Sequence, residues 1–242
     1  MSTDHAIQVS GIKVHVVRKP IKNLHLGVYP PYGRVRVAAP MTVSNDAVRL
    51  AVISKLGWIG RQRRKFLKQP RQSKREMVSG ESHYFLGRRY RLRVVEFEGS
   101  ATQSVRMQHS VIELRVRGGA GASSRRVVLE AWYRKQLRLV AGPLIEKWQR
   151  RLGVEAKDCG IKKMRTKWGA CNGAARRVWL NLELVKCPVE CIEYIVVHEL
   201  AHLVVRRHDE RFFALMDRHL PSWRARRDLL NSAPLPHALW SR

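Results

Sequence analysis

Forty-seven Lys and Arg against nineteen Asp and Glu give this 242-residue chain a formal charge of +28. The length admits one large domain or two small ones with a sizeable core, and no apolar run is long enough to form a membrane-spanning helix. A charge of this size favours anionic partners, nucleic acid foremost, through phosphate contacts and counterion release.

The opening Met1-Ser2-Thr3-Asp4-His5 lacks the charged-then-apolar pattern of a signal peptide, so the expected location is cytoplasmic. Ile12–Val16 and Arg34–Val37 alternate with the strand period on either side of a Pro30-Pro31-Tyr32-Gly33 turn. Ser44 caps one long helix expected from Asp46 to Lys68. Its basic end, with Arg61, Arg63, Arg64, Lys65 and Lys68, complements the negative helix terminus and offers a grip on phosphates. Gln69–Ser82 reads as a linker or exposed loop. Strands then resume at Tyr84–Leu86, Arg89–Phe97, Ser104–Gln108 and Val111–Arg117.

The glycine-rich stretch Gly118–Ser124 is the clearest break, and it divides a β-rich domain (1–118) from a second domain (125–242). A helix over Arg125–Arg151 is expected to be interrupted near Gly142-Pro143. A strand Arg177–Leu184 follows, with Val178, Leu180, Leu182 and Leu184 on one face and Trp179, Asn181 and Glu183 on the other. It is the candidate to pair with an extended peptide. Pro188 suits the first turn of the next helix. Cys159, Cys171, Cys187 and Cys191 form no CxxC pair, which speaks against a structural zinc cluster; Cys187 and Cys191 read as small buried residues in a reducing compartment.

That next helix carries His198-Glu199-Leu200-Ala201-His202. Residues four apart share a helix face, with Cβ atoms roughly 6 Å apart, so two imidazoles can chelate one zinc ion. Glu199 projects about 100° from His198, away from the metal polyhedron but within reach of the water it activates, which suits a general base. Ile192, Ile195, Val196, Leu200 and Leu203 recur at helical spacing, so the helix is buried. An unpartnered Glu199 there is costly. A catalytic zinc takes three protein ligands, and His208 is the third candidate. On a continued helix it would lie roughly 9 Å further along the axis. The chain must therefore leave helical geometry, at about Arg206, and re-enter a helix Glu210–His219 capped by Asp209. His219 and His237 are fallback ligands.

The segments "KMRTKWGAC", "VWLNLELVKCPVECIEYIVVHELAHL" and "RHDERFFALMDRHLPSW" closely resemble the YgjP-like family of SprT-related zinc metallopeptidases. "GRVRVAAP", "KLGWIGRQRRKF" and "YFLGRRYRLRV" extend the resemblance over nearly the whole chain. It implies an α+β protein in which a β-rich N-terminal region precedes a zincin-like C-terminal domain. It also implies one zinc ion on His198, His202 and His208, with Glu199 as general base. Ala170 departs from the family's common serine, and Asp209 stands for its usual asparagine or serine as an equally good cap.

Three functions remain open on these residues. The first is a zinc-dependent endopeptidase. The second is a metal-dependent hydrolase of an anionic substrate such as a nucleoside triphosphate, although the chain has no Gly-x4-Gly-Lys-Ser/Thr loop. The third is a DNA-binding accessory protein, or a peptidase recruited to nucleic acid, with Arg61, Arg64, Lys65 and Lys68 as its footprint. Tyr194 and Arg165 are candidate transition-state stabilisers for which packing is the simpler role.

Overall fold

The computed structural model describes residues 4–29, 33–68, 75–164 and 167–232. They fall into two compact units, one through Lys68 and the other from Arg75 to Ser232. Among the described residues no helix is long and apolar enough to cross a membrane.

The first unit is a four-stranded sheet with two helices. Strands β1 (Asp4–Val9), β2 (Ile12–Lys19), β3 (His25–Tyr29) and β4 (Arg34–Pro40) lie in the order β1-β2-β4-β3, with β2 and β4 parallel. Alternation buries Val14 and Val16 of β2 and Val35 and Val37 of β4 on one face. Val48 and Val52 of α1 (Asn45–Ile53) and Ile59 of α2 (Leu56–Lys68) complete that core. Ser44 caps α1, its hydroxyl accepting from the Ala47 N–H at 3.1 Å. The single helix expected over Asp46–Lys68 is divided at Ser54-Lys55. Ser54 donates back to the Ala51 carbonyl at 3.0 Å, a local bond that competes with the helical ladder just after two β-branched residues.

The second unit holds two sheets and four helices. Strands β5 (Ser82–Phe85), β6 (Arg88–Phe97), β7 (Ser104–Gln108) and β8 (Val111–Arg117) run in the order β5-β6-β8-β7. Their apolar face, with Leu92, Ile112, Leu114 and Val116, joins one core with Leu129, Tyr133 and Leu137 of α3 (Ala122–Leu152). The boundary expected at Gly118–Ser124 therefore lies inside this unit: β8 and α3 share a core, and their glycine-rich connection is a turn between packed elements. The expected interruption of α3 is also absent. Pro143 removes one N–H from the ladder, but the carbonyl it leaves without a partner belongs to Leu139 on the exposed face. Buried Tyr133 and Leu137 before it and Trp148 after it hold both halves in register.

The second sheet runs β10-β11-β9, from β9 (Asp158–Lys162), β10 (Gly169–Asn172) and β11 (Arg177–Asn181). The strand expected to continue to Leu184 stops at Asn181, where a 3₁₀ turn (Leu182–Lys186) begins. The Asn181 carboxamide causes the stop. Its oxygen accepts from the Glu183 N–H at 3.2 Å, and its nitrogen donates to the Met164 and Lys167 carbonyls at 3.1 and 2.7 Å. Asn181 and Glu183, expected to face outward, are buried, Glu183 pairing with Lys186 at 2.6 Å. Helices α4 (Val189–Ala201), α5 (Glu210–His219) and α6 (Trp223–Ser232) follow. The α+β order is thus as expected: β-rich first, then the motif on a buried helix.

Candidate metal centre

Helix α4 buries Ile192, Ile195, Val196, Val197 and Leu200, which fixes the orientation of the remaining face. That face carries His198, half-buried, and ends at His202, the C-cap. The helix therefore breaks at His202, four residues before the expected point. Residues Leu203–Asp209 then reverse the chain without any positive-φ residue, which explains why neither glycine nor proline is needed there. Val205 is buried and its N–H bonds to the Ala201 carbonyl at 2.9 Å, pinning the reversal to the helix end. Asp209 then caps α5, accepting from the Phe212 N–H at 3.2 Å.

This path brings His208 back over α4. The ligating atoms of His198, His202 and His208 all lie within 4.8 Å of one another. The Nε2 atoms of His198 and His208 are 3.1 Å apart. Two donors on a tetrahedral zinc with bonds of about 2.0–2.1 Å sit roughly 3.3 Å apart, so the pair fits that ion. His202 Nδ1 lies 3.1 Å from the Val205 carbonyl, which can only accept; Nδ1 therefore carries the proton and Nε2 keeps its lone pair for a metal. Burial, reinforced by the neighbouring His202 and His208, holds the His198 pKa down to about 3, and burial lowers that of His202 as well. Both rings are neutral at pH 7, the form that ligates.

Beneath the triad lies Phe212, 1% exposed, its ring centroid 4.7–5.0 Å from each of the three imidazoles. It stacks on His202 and meets the other two edge-on, so each imidazole has an apolar ring against one side that restricts its rotation. In the sequence, Phe212 is marked only by its place in the segment after the third histidine and by its amphipathic position on α5.

Glu199 is 6% exposed. Burial pushes its pKa up to about 7, partly offset by the Lys167 ammonium. A carboxyl group with that pKa both takes and gives a proton at neutral pH. Its place is made by Gly169 of β10, whose missing side chain leaves room for the carboxylate.

The groups open into a cleft of about 950 Å³. Strand β10 with Lys167 and Trp168 forms one wall, and Leu203, Val204 and Arg206 the other. The strand bordering the site is therefore β10, and β11, the expected one, lies inside the sheet, paired on both edges. Among the described residues β10 pairs only with β11, leaving its outer edge free.

The other candidates fall elsewhere. Tyr194 is buried, stacked on Trp223 with ring planes 12° apart, and does not line the cleft. His219 stands outside the triad at the end of α5. Arg165 and His237 lie outside the described residues, as do the side chains of Lys65 and Lys68. Arg61 and Arg64 are exposed on α2.

Two histidines on one helix face, a third returned by a chain reversal and a buried acid beside them at an open cleft define the class of metal-dependent hydrolytic centres. The chain belongs to the YgjP-like metallopeptidase family: the family model described as "YgjP-like, metallopeptidase domain" matches residues 22–233. At that level it is a metallopeptidase, and so a hydrolase. Among solved structures it is similar to the metallopeptidase zymogen of Pyrococcus abyssi abylysin, with 21% identity over 36% of this chain and 86% of that one and a TM-score of 0.33. A search of curated proteins returns no match.

Proposed function

We propose that this chain is a zinc-dependent endopeptidase with His198, His202 and His208 as the zinc ligands and Glu199 as general base. The observation that carries the reading is the convergence of three imidazoles beside one buried carboxyl group at an open cleft. Three nitrogen donors with room for a further ligand suit a catalytic zinc better than the oxygen-rich sites of magnesium or calcium. Zinc held there supplies a Lewis acid that polarises a carbonyl and acidifies water.

The protein side of the reaction follows from the walls. An extended peptide adds to the free edge of β10, where main-chain groups fix its register whatever its sequence. Glu199 takes the proton of the attacking water and passes it to the leaving amine. Lys167 places a positive charge on the wall beside Glu199 and favours negative charge developing on the scissile carbonyl oxygen. An open edge lets a chain pass through, which favours internal cleavage. Membership of a metallopeptidase family favours a peptide over the nucleoside-triphosphate alternative. The four free cysteines suit the reducing cytoplasm.

The test is Glu199→Gln in zinc-loaded protein against an unfolded protein substrate. Zinc content is expected to stay at one ion per chain while cleavage is lost. A variant that retains wild-type cleavage overturns the assignment.

The charge adds a partner. From Met1 to Gln72 the chain has fourteen Lys and Arg and only two acids, Asp4 and Asp46. This supports recruitment to nucleic acid, with Arg61 and Arg64 among the contacts.

A further inference from the structure

We propose that the outer face of the β5-β6-β8-β7 sheet binds single-stranded nucleic acid. This deepens the recruitment reading by locating the contact in the unit that carries the metal centre, and it does not depend on the peptidase assignment.

The strand period sorts the side chains. Leu92, Ile112, Leu114 and Val116 point into the core, so their neighbours in sequence face outward. On β6 those neighbours are Arg89, Arg91 and Arg93; on β7, Arg106; on β8, Arg115 and Arg117. The register sets them in successive rows. Arg89 lies opposite Tyr84, Arg93 and Arg106 flank Glu113, Arg115 lies between Val95 and Ser104, and Arg117 lies opposite Phe97. Glu113 is the one carboxylate that the four strands carry on this face, and it is engaged by Arg93. Five guanidinium charges remain uncompensated by any acid of the face, on strands about 4.8 Å apart.

Like charges on neighbouring strands oppose folding, so this face does not serve the stability of its own sheet. It fits a polyanion. All six cations are arginine, whose planar fork bonds phosphate oxygens in pairs and stacks on bases. Tyr84 and Phe97, both half-buried in rows with arginines, add rings on which unpaired bases stack. Stacking on these rings requires exposed bases, which selects a single strand.

The experiment is fluorescence anisotropy of a labelled oligothymidine of about 20 nucleotides, enough to cross a face of this kind. It uses the whole 242-residue chain at about 50 and 200 mM salt. Arg106→Glu/Arg115→Glu/Arg117→Glu should weaken binding by about 100-fold and flatten the salt slope by about 2, three fewer phosphate contacts at about 0.7 each. Phe97→Ala should cost about 10-fold with the salt slope unchanged, as loss of one stacking partner predicts. If the triple variant unfolds, as a melting curve will reveal, Arg106→Gln/Arg117→Gln takes its place with a smaller loss expected. Wild-type binding by the sheet variants, loss confined to Arg61→Glu/Arg64→Glu, or equal affinity for a duplex of the same length each overturns the proposal. Cleavage of a short peptide by the triple variant should match wild type, so failure of this proposal is distinct from failure of the peptidase reading.

Discussion

A Cβ built on Gly169 would sit 2.5 Å from Glu199 Oε1 and 2.6 Å from its Cγ, so strand β10 and this carboxyl group on α4 share one space. The glycine is needed for approach, not for backbone freedom, because its φ is not positive. Gly169→Ala is therefore expected to push the carboxylate out of line without touching the three histidines. A displacement of this order costs about 100-fold in kcat. Single-turnover kinetics alongside zinc analysis checks it: zinc content should be unchanged. Equal loss of zinc and activity would show that the substitution had disturbed the sheet more widely.

The chain reversal makes a second prediction. His208 reaches the triad only because α4 stops at His202 and Asp209 starts α5. Outer-shell partners of zinc ligands cost 10–100-fold when removed, so losing a ligand itself should cost more than about 100-fold in zinc affinity. His208→Ala should show this in competition with a chromophoric chelator. Asp209→Ala removes one cap and should cost about 1 kcal/mol of stability by chemical denaturation, with a smaller effect on zinc. Unchanged zinc affinity in His208→Ala would remove the third ligand from the site.

Phe212 supplies the third. Its ring touches all three imidazoles and makes no polar contact with them, so its role is to restrict rotation. Phe212→Leu keeps most of the buried apolar volume but loses the flat surface. Zinc affinity is expected to fall about 10-fold, the size seen when groups orienting ligands are lost, while the melting temperature of the metal-free protein falls only modestly. Isothermal titration with zinc, set beside that melt, separates the two effects.

The residues proposed to hold the metal are legible in the sequence because much of their spacing is local. His198 and His202 share a face by helical period, and Asp209 is a cap wherever its helix starts. The walls are less legible, because tertiary packing fixes them. Four-residue β10 has no alternation of its own, and only pairing with β11 makes it a strand. That β11 is central and β10 is the edge depends on β9 pairing in parallel from earlier in the chain. Asn181, which ends β11 by bonding to Glu183, Met164 and Lys167, looks in the sequence like one more outward strand position. Gly169 does leave a signal, since an isolated glycine in a strand marks a close approach of something. What approaches is Glu199, thirty residues away.

The last prediction concerns acid stability and rests on Glu193, five residues before His198 on α4. Burial alone would raise the pKa of this carboxyl. Hydrogen bonds from Lys147 at 2.8 Å, Arg226 at 2.6 Å and the Trp148 indole at 2.9 Å outweigh it and hold the pKa down to about 2, against an ordinary 4.5. The three donors come from α3 and α6, so one carboxylate ties both helices to the motif helix. With a folded-state pKa below the unfolded one, the contribution to stability is complete above about 4.5 and is lost as pH falls from there toward 2. Glu193→Gln keeps the shape but removes the charge, and should cost about 1–2 kcal/mol at pH 7, the scale of charge-assisted hydrogen bonds. The difference between wild type and variant should shrink steadily below pH 4.5. Urea denaturation of both proteins from pH 7 to 2 measures it. A difference that stays constant across that range would mean the three donors contribute packing and not charge.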